Sequence, residues 1–582
     1  MRRTIRALMS LSIVAALPLL TQNPGPTRSG YPPATLRVGL WTLWHDNQIS
    51  ISPTPEGPLA QRTCEDCTAV SLARTNQVRA IGDRVSYGDS RQAAALWFTG
   101  RVSLSAHGES LVLSNPFHVA ARNGVLVLDV TLPVESYVER VVASESSASD
   151  SPESLRSLAI VVRSFALHQK HGHAEYDLCD STHCQLLHWG GNPERRAAAH
   201  AATLATAGET LWFHGARAEA WFHQNCGGRT ASPSEVWPGR KPMPWLASRA
   251  DSYCTAGGAR EWSANLSLSD LSAALAEGGL VRPGWRNLTV ARRGESGRVV
   301  TLRADSSEIS AEAFRLEVGR SLGWNRILSN WFEVTRQSDR FIFHGRGSGH
   351  GVGLCQAGAA AMAASGRDSR QILAQYFSGA TVADEATGLS WQTVRGQGFA
   401  LETLDPADTA YMPSLSRSLA EAERRSSLKP SGLFTVRAFV STPAFRDATL
   451  APGWVAAFTE GDWIGTQPLR TLASRKLLTT VLRHEFLHAL VEDQSSANAP
   501  LWLREGLVEA WSGEPTATGQ PPTMKLGEVD RSLAHAASEA QSAAAHRAAG
   551  WYAGRLLGRF GREQVLNWLR FGVPSSALAA LR

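Results

Sequence analysis

Several features that would assign this chain of 582 residues to a simple class are absent. After Leu20 no apolar run is long enough to cross a bilayer, which takes about 20 residues. No dense Lys/Arg run with interleaved aromatic residues occurs and the net charge is only +6, so nucleic acid is a weak candidate partner. No internal repeat is evident. The composition is that of an ordinary globular protein with more than one core.

Tyrosine and cysteine are scarce as well. The chain has 8 Tyr against 19 Trp, and we interpret the Trp excess as core and interface packing before sugar stacking. Seven Cys fit an oxidising compartment, and their odd number leaves at least one unpaired, mispaired or bound to a metal. Their positions are Cys64, Cys67, Cys179, Cys184, Cys226, Cys254 and Cys355.

The N-terminus has the pattern of a secretory signal. Arginines precede an apolar run from Ala7 to Leu20, which is shorter than an ordinary membrane span. No clean small-x-small cleavage motif follows, so residues 1–22 are predicted to be either a cleaved signal peptide or an uncleaved anchor. We expect an exported protein of the periplasm or cell envelope, whose only membrane contact is such an anchor.

The hydrophobic pattern predicts an α+β protein. Strand-like alternation runs through residues 36–132, a helix begins near Val134, and Ser151 followed by Pro152 marks the start of another helix. Residues 383–429 are polar, with a short helix predicted near residues 415–425, and we interpret them as a junction. Residues 430–582 are predicted to form a second, mainly helical domain with a small sheet.

The first candidate catalytic residue is Glu145. At helical spacing it falls on the stripe of Val134, Val138 and Val141, whereas Glu135 does not. Apolar surroundings favour a neutral carboxyl, which a general acid for glycosidic cleavage needs. Spacing alone nevertheless favours the alternative, a glutamate at a helix end that extends into solvent.

Four ordered sequence blocks decide between these alternatives. The blocks are Glu135–Leu167, Tyr176–Gln185, Phe222–Thr230 and Gly345–Gln356. On these blocks the chain resembles the SpoIID/LytB family of peptidoglycan lytic transglycosylases, and the resembling domain covers roughly residues 36–382.

The resemblance implies that Glu145 is the catalytic acid/base for non-hydrolytic cleavage between N-acetylmuramic acid and N-acetylglucosamine. Peptidoglycan glycan strands would then be the substrate. This chain has Glu-Ser-Ser-Ala at Glu145 where the family commonly has Glu-Met-Pro, so a groove contact is expected to differ.

A metal site is predicted in the second block. His173, Cys179, His183 and Cys184 supply enough ligands for a closed tetrahedral zinc site, and the family is known to hold zinc in this block. His171 competes with His173 as the fourth ligand, and a Cys179–Cys184 disulfide is the alternative to zinc. Other candidate disulfides are Cys226–Cys254 and Cys64–Cys67.

The glycine-rich run from Gly345 to Gly353 lacks the Lys-Ser/Thr of a phosphate-binding loop. We interpret it as a loop that lines the substrate groove, with a tight structural turn as the alternative. His350 and Gln356 are its candidate substrate contacts.

The second domain carries a separate catalytic pattern. In His484-Glu485-Phe486-Leu487-His488 the two histidines lie on one helix face, and Glu505 offers a third metal ligand. Two His, one carboxylate and an open position are typical of catalytic zinc, with Glu485 as general base.

The region from about Leu433 resembles the gluzincin peptidase-MA-like family, whose second helix carries Trp-Leu-x-Glu-Gly, here residues 502–506. The resemblance places Tyr552 as a candidate oxyanion stabiliser. A peptide or protein would be the substrate.

The sequence thus predicts an exported cell-wall lytic transglycosylase with an appended zinc metallopeptidase. The alternatives are a protein that is chiefly a zinc protease with an inactive glycan domain, or a wall-binding scaffold.

Overall fold

The computed structural model describes residues 35–582 except 56, 148–149, 169–172, 191, 259, 452–454, 497–498, 514–520, 535–538, 580 and 582. The predicted signal or anchor, residues 1–22, lies outside the described residues. The described chain divides into two compact units, Thr35–Gly388 and the residues from Leu389 onward. Among the described residues, no helix is both long and apolar enough to span a bilayer.

The first unit begins with strands, as the alternating sequence predicts. Their apolar positions face inward because successive side chains of a strand point to opposite sides. In chain order they are β1 (Thr35–Leu40), β2 (Gln48–Pro53), β3 (Leu59–Arg62), β4 (Val70–Leu72), β5 (Asn76–Ile81), β6 (Arg84–Tyr87), β7 (Arg91–Ala93), β8 (Ala95–Gly100), β9 (Val102–Ala106), β10 (Glu109–Leu113), β11 (Phe117–Arg122), β12 (Val125–Pro133) and β13 (Leu178–Cys179).

These strands form two sheets. One has the order β13-β1-β12-β11-β8-β3-β4 and the other β10-β9-β2-β5-β6-β7. Strand β13 pairs in parallel with β1, with Cys179 opposite Gly39, so the chain leaves the sheet edge at the predicted metal block. Buried side chains of both sheets belong to one apolar core.

The helices of the first unit follow and are interspersed with short strands. The helices are α1 (Val134–Glu145), α2 (Pro152–His168), α3 (Pro193–Ala205), α4 (Pro233–Val236), α5 (Leu268–Glu277), α6 (Ala311–Leu322), α7 (Gln356–Ala364) and α8 (Ser369–Tyr376). The strands are β14 (Glu209–Phe213), β15 (Ala216–Arg217), β16 (Phe222–His223), β17 (Glu261–Ser267), β18 (Leu288–Arg293), β19 (Val299–Ala304), β20 (Ser307–Ser310), β21 (Phe332–Gln337), β22 (Arg340–Arg346), β23 (Leu354–Cys355) and β24 (Thr381–Asp384).

Helix α2 is the central helix of the first unit. Ser151 Oγ accepts a hydrogen bond from the Ser154 N–H at 3.4 Å, and Pro152 occupies the first helical position, as predicted. Nearly every residue from Ser154 to Ala166 is buried. Helix α1 packs against both α2 and α3, so two of its faces are covered.

A separate apolar core lies within the first unit. It is built from the sheets β17-β22-β21 and β18-β19-β20 together with α5 and α6. Strands β16 and β23 form a parallel pair outside these sheets, with His223 opposite Cys355. This pair brings the predicted third and fourth family blocks side by side.

The second unit combines one mixed sheet with helices. The sheet has the order β25-β26-β27-β29-β28, built from β25 (Gln392–Arg395), β26 (Phe399–Thr403), β27 (Phe434–Ala438), β28 (Ala457–Glu460) and β29 (Trp463–Thr466). The helices are α9 (Met412–Ser426), α10 (Thr442–Thr449), α11 (Leu469–Ser474), α12 (Leu478–Gln494), α13 (Leu501–Ser512), α14 (Leu526–Ala534), α15 (Glu539–Phe560), α16 (Arg562–Phe571) and α17 (Ser575–Ala579).

The predicted α+β class is confirmed, since helices and strands mix in both units. The structure places the predicted junction, 383–429, differently. Strands β25 and β26 pair into the sheet of the second unit, and α9 packs against α12. The chain therefore passes between units near Gly388, and most of the predicted junction is part of the second core.

Candidate functional site

Glu145 is the last residue of α1, and its side chain is partly buried. The Leu186 backbone N–H donates a hydrogen bond to Glu145 Oε1 at 3.1 Å. Burial raises the pKa of the Glu145 carboxyl to about 7, and this hydrogen bond offsets part of the effect. A carboxyl group with this pKa is partly protonated at neutral pH and can donate a proton.

The helical spacing in the sequence gives the wrong expectation for the burial of Glu135. The predicted stripe leaves Glu135 off the apolar face, yet the residue is buried because α2 and α3 cover a second face of α1. Arg163 Nε donates to Glu135 Oε1 at 2.8 Å, and this buried ion pair compensates both charges. Glu145 and Glu135 therefore share a helix but differ in electrostatic surroundings.

The segment after the metal block is fastened to the end of α1. Tyr137 Oη donates to Gln185 Oε1 at 3.0 Å, and the His188 N–H donates to Ser144 Oγ at 2.8 Å. With the Leu186 bond to Glu145, three consecutive contacts attach this segment to α1. The position of the acid thus depends on the position of residues 185–188.

The four predicted zinc ligands converge directly before this segment. Donor atoms of His173, Cys179, His183 and Cys184 all lie within 4.8 Å of one another. His173 Nε2 is 3.1 Å from Cys184 Sγ, and His183 Nδ1 is 3.8 Å from each sulfur. Both cysteines are free thiols, so the alternative Cys179–Cys184 disulfide is not formed.

The electrostatics of this cluster favour a single thiolate, at Cys179, because the hydrogen bond with Cys179 and burial raise the pKa of the Cys184 thiol. Hydrogen bonds from Cys184, His183 and Ser181 lower the pKa of the Cys179 thiol, which favours the thiolate that ligates metals. His171, the competing fourth ligand, lies outside the described residues. The structure brings His173 to the cluster.

The glycine-rich segment meets Glu145 from the other side. Gln356 Nε2 donates to the Glu145 backbone carbonyl at 3.0 Å, so Gln356 supports the end of α1. His350 makes a hydrogen bond within its own loop, because its Nδ1 accepts the Val352 N–H at 3.0 Å. Burial lowers the pKa of His350 to about 4, which keeps the ring neutral. Their assignment as substrate contacts stays a prediction.

Two of the disulfide expectations have different outcomes. Cys64 and Cys67 are joined, as predicted for a small loop. The expected Cys226–Cys254 disulfide is wrong in this structure, where both are free. The physical reason is tertiary, because the parallel pairing of β16 with β23 brings a third thiol, Cys355, against the same two residues.

In the second unit the predicted metal ligands lie on α12 and α13. His484 Nε2 and His488 Nε2 are 3.1 Å apart, and Glu505 Oε2 is 3.8 Å from His488 Nε2. All three side chains are buried. Burial lowers the pKa of His484 to about 4 and holds that of His488 well below its ordinary value, so both rings are neutral, the form that ligates a metal.

The tautomer of His484 follows from its neighbours. Ser512 Oγ donates its single hydrogen to the Val508 carbonyl at 2.7 Å. His484 Nδ1, which is 3.1 Å from Ser512 Oγ, must therefore be the donor of that contact. The Nε2 atom then carries the lone pair and faces His488.

The predicted base, Glu485, is held by the neighbouring strand. Thr459 on β28 donates to Glu485 Oε2 at 2.6 Å, and the glutamate is buried. Tyr552 has a different hydrogen-bond partner from the one its predicted role requires. Its hydroxyl donates to the Met524 carbonyl at 3.2 Å. Its role as oxyanion stabiliser stays a prediction.

Sequence reasoning missed His546 on α15. Its Nδ1 lies 3.5 Å from Glu505 Oε2 and 3.4 Å from Glu509 Oε1, and the ring is buried. The signal available in the sequence is a helix with small residues at 545, 549 and 553, a spacing that permits close helix contact and places His546 at the interface.

Comparisons with known proteins bear on the first unit. Residues 123–213, which contain Glu145 and the His173–Cys184 cluster, match the family model described as stage II sporulation protein (SpoIID). This part of the chain is therefore similar to a SpoIID domain. Residues 246–353 match a domain of unknown function (DUF8618), which overlaps the separate small core of this unit.

Curated relatives agree with the SpoIID-type domain. Stage II sporulation protein D of Bacillus subtilis is 26% identical over 276 residues, which cover 44% of this chain and 75% of that protein. Its Bacillus amyloliquefaciens counterpart is 24% identical over 280 residues, covering 44% and 76%. An uncharacterized protein of Brachyspira hyodysenteriae is 27% identical over 265 residues, covering 45% and 70%. These likenesses concern less than half of this chain.

Proposed function

We propose that the SpoIID-type domain is a peptidoglycan lytic transglycosylase that cleaves the bond between N-acetylmuramic acid and N-acetylglucosamine. The observation that carries the proposal is the Glu145 carboxyl, whose pKa is raised to about 7 by burial and whose Oε1 accepts the Leu186 N–H. A general acid is most effective when its pKa lies near the working pH.

The chemistry requires one carboxyl group in two roles. Neutral Glu145 donates its proton to the glycosidic oxygen as the bond from that oxygen to the muramyl C1 breaks. The resulting carboxylate, which the Leu186 N–H stabilises, accepts the proton of the muramyl C6 hydroxyl while O6 bonds to C1. A 1,6-anhydro ring forms, no water is consumed, and Glu145 regains its starting state.

We assign the cluster of His173, Cys179, His183 and Cys184 to structural zinc. Two thiols and two imidazoles within 4.8 Å of one another are a donor set that suits tetrahedral zinc. Bound zinc would supply cross-linking of the chain and no chemistry at the sugar. The ligands precede residues 185–188, whose contacts hold the end of α1, so their role is to position Glu145.

The test is Glu145→Gln in the full chain with purified glycan strands as substrate. We expect wild type to release products with 1,6-anhydromuramyl ends, detected by mass spectrometry, and the variant to lose at least about a thousandfold in rate. Glu139→Gln on the same helix is the matched control, since Glu139 Oε2 contacts His200 Nδ1 at 3.0 Å. Glycan cleavage that survives in Glu145→Gln would refute the assignment.

We propose zinc metallopeptidase activity for the second unit. The residues fit a metal, because Glu505 Oε2 is buried without a hydrogen bond from the described residues and lies 3.8 Å from His488 Nε2, which is itself 3.1 Å from His484 Nε2. His484, His488 and Glu505 would hold zinc, which would polarise a peptide carbonyl when bound. Glu485, oriented by Thr459, would accept the proton of the attacking water and pass it to the leaving amine.

Glu485→Gln tests this second activity. With zinc-loaded full chain and a mixture of casein and wall peptides, we expect cleavage by wild type and a loss of at least about a hundredfold in the variant. Glu492→Gln on the same helix is the control, since Glu492 pairs with Arg504 at 2.6 Å. Absence of cleavage by wild type across the whole peptide set would contradict the proposal.

The two tests also separate the alternative functions. Peptide cleavage without anhydromuramyl products would indicate a protein that is chiefly a zinc protease. If neither peptide products nor anhydromuramyl products form and the protein is retained on isolated cell wall, the result would indicate a wall-binding scaffold. Export to the cell envelope is part of the proposal, because the glycan substrate lies there.

A further inference from the structure

A second group of metal-ligating side chains lies in the first unit, in a region that the proposed chemistry does not use. Donor atoms of Cys226, Asp251, Cys254 and Cys355 all lie within 4.8 Å of one another. All four residues are buried, and all three cysteines are free thiols.

The backbone around this group is arranged as it is around metal thiolates. The Cys226 and Gly358 N–H groups point at Cys355 Sγ, at 3.2 and 3.4 Å, and the Gly228 N–H points at Cys226 Sγ at 3.4 Å. Gly227 and Gly228 have φ of +70° and +104°, conformations that glycine adopts without strain. Amides directed at sulfur stabilise its anionic form.

The carboxylate of Asp251 completes the set. The Tyr376 hydroxyl donates to Asp251 Oδ2 at 2.8 Å, and the Cys254 N–H donates to Oδ1 at 3.1 Å. Cys226 Sγ is 3.2 Å from Oδ2. These contacts fix the carboxylate among the sulfurs, where a buried negative charge requires a cation.

The nearby arginine is directed elsewhere. Arg298 is buried, and its guanidinium donates to the backbone carbonyls of Arg229 and Cys226 at 2.7 and 2.6 Å. The Arg298 guanidinium therefore stabilises the backbone at Cys226 and Arg229. It does not occupy the space between the four donor atoms, where a cation could bind. A disulfide does not fit this arrangement as well, because any pairing of the three thiols leaves one buried cysteine and the carboxylate.

We propose that Cys226, Cys254, Cys355 and Asp251 bind a structural zinc ion. Four ligands at about 2.0–2.3 Å from one tetrahedral ion are about 3.3–3.8 Å from one another, a spacing that the cluster reaches with small adjustments. Binding would displace the thiol protons to solvent. No sugar or peptide chemistry occurs at this ion.

The ion would join three separate segments of the chain. Cys226 follows β16, Asp251 and Cys254 share one turn, and Cys355 ends β23 and caps α7. Gln356, the first residue of α7, donates to the Glu145 carbonyl. The proposed zinc would therefore position Gln356, which contacts the Glu145 backbone. The His173–Cys184 cluster would position Leu186, which contacts the Glu145 carboxylate.

The first experiment needs no variant. Full-length protein is purified without reductant, chelated and denatured with guanidinium, alkylated with iodoacetamide and analysed by peptide mass spectrometry. We expect Cys226, Cys254 and Cys355 to be alkylated and the Cys64–Cys67 pair to remain oxidised. A disulfide between any two of the three would overturn the proposal.

The second experiment measures zinc per chain by inductively coupled plasma mass spectrometry after dialysis in micromolar zinc. We expect Cys254→Ser and Asp251→Asn each to lose about one zinc equivalent relative to wild type. The matched control is Cys64→Ser/Cys67→Ser, which should keep the wild-type value. An unchanged zinc content in folded Cys254→Ser would also refute the site, independently of any glycan or peptide cleavage.

Discussion

At the scale of single residues, the hydrogen-bond or ion-pair partner of a buried carboxyl group determines whether that group stays ionised or can donate a proton. Glu135 faces Arg163 at 2.8 Å and stays in a compensated ion pair. Glu145, ten helix positions further along, receives one backbone N–H, and its pKa rises to about 7 because burial is only partly offset. The first residue stabilises the core, and the second can exchange a proton with a substrate.

The pH dependence of glycan cleavage follows from this pKa. Glu145 must begin protonated, and its acid form prevails below about pH 7 and declines above it. We expect the rate to fall about tenfold per pH unit on the alkaline side, with the inflection near pH 7, measured from initial rates of anhydromuramyl release. Glu139→Gln should keep the same inflection. A rate that stays constant to pH 9 would contradict a titrating Glu145 acid.

Residue spacing predicted part of this site. The stripe that contains Glu145 is visible because valines recur at helical intervals, and the structure places Glu145 partly buried. The burial of Glu135 could not be predicted from spacing, since it depends on Arg163 of the next helix. The sequence suggested only a Cys226–Cys254 pair, because Cys355 lies 129 residues from Cys226 and reaches it through strand pairing.

At the scale of elements, the second unit depends on the close approach of α13 and α15. A Cβ added to Gly506 on α13 would lie 2.3 Å from the Ala549 carbonyl oxygen on α15. The glycine of the Trp-Leu-x-Glu-Gly segment is therefore required by packing. The same approach brings His546 to Glu505, so the glycine and the candidate metal ligand beside it are structurally coupled.

Gly506→Ala should accordingly destabilise the second unit. The methyl group meets backbone that cannot rotate away, and we expect a loss of about 1–3 kcal/mol in the free energy of unfolding, measured by urea titration. Gly558→Ala on α15 is the control, because nothing lies within 4 Å of its added Cβ. This variant should be neutral or stabilised by up to about 1 kcal/mol. Equal effects of the two substitutions would contradict the packing argument.

Element prediction succeeded where patterns were strong and local. Helix α1 begins at Val134 and α2 at Pro152 after Ser151, as predicted, and the small sheet predicted for the second domain includes β27, Phe434–Ala438. Strand β25 was missed within the predicted junction because it is mostly exposed and has no alternating apolar pattern. Its membership of the sheet depends on pairing with β26.

At the scale of the whole molecule, the proposed chemistries use metal in different ways. Zinc at His484, His488 and Glu505 would act on the substrate, so it needs an accessible position. The two cysteine-containing clusters of the first unit would only hold backbone near Glu145, and their ligand sets are complete without substrate. Under these proposals one molecule would combine a metal-dependent reaction with a reaction whose metal is structural.

Treatment with a metal chelator should stop the peptide-cleaving reaction earlier than the glycan-cleaving reaction. A catalytic site with three protein ligands leaves one coordination position open to a chelator, whereas four-ligand sites that contain thiolates have every position filled and release their metal slowly. We expect brief treatment of the full chain with 1,10-phenanthroline to abolish peptide cleavage while anhydromuramyl release continues. Prolonged treatment should then reduce glycan cleavage in parallel with zinc loss from the first unit, followed by mass spectrometry of intact protein. The non-chelating 1,7-phenanthroline is the control. Loss of both activities during the brief treatment would mean that the glycan reaction itself requires a metal that the chelator reaches quickly.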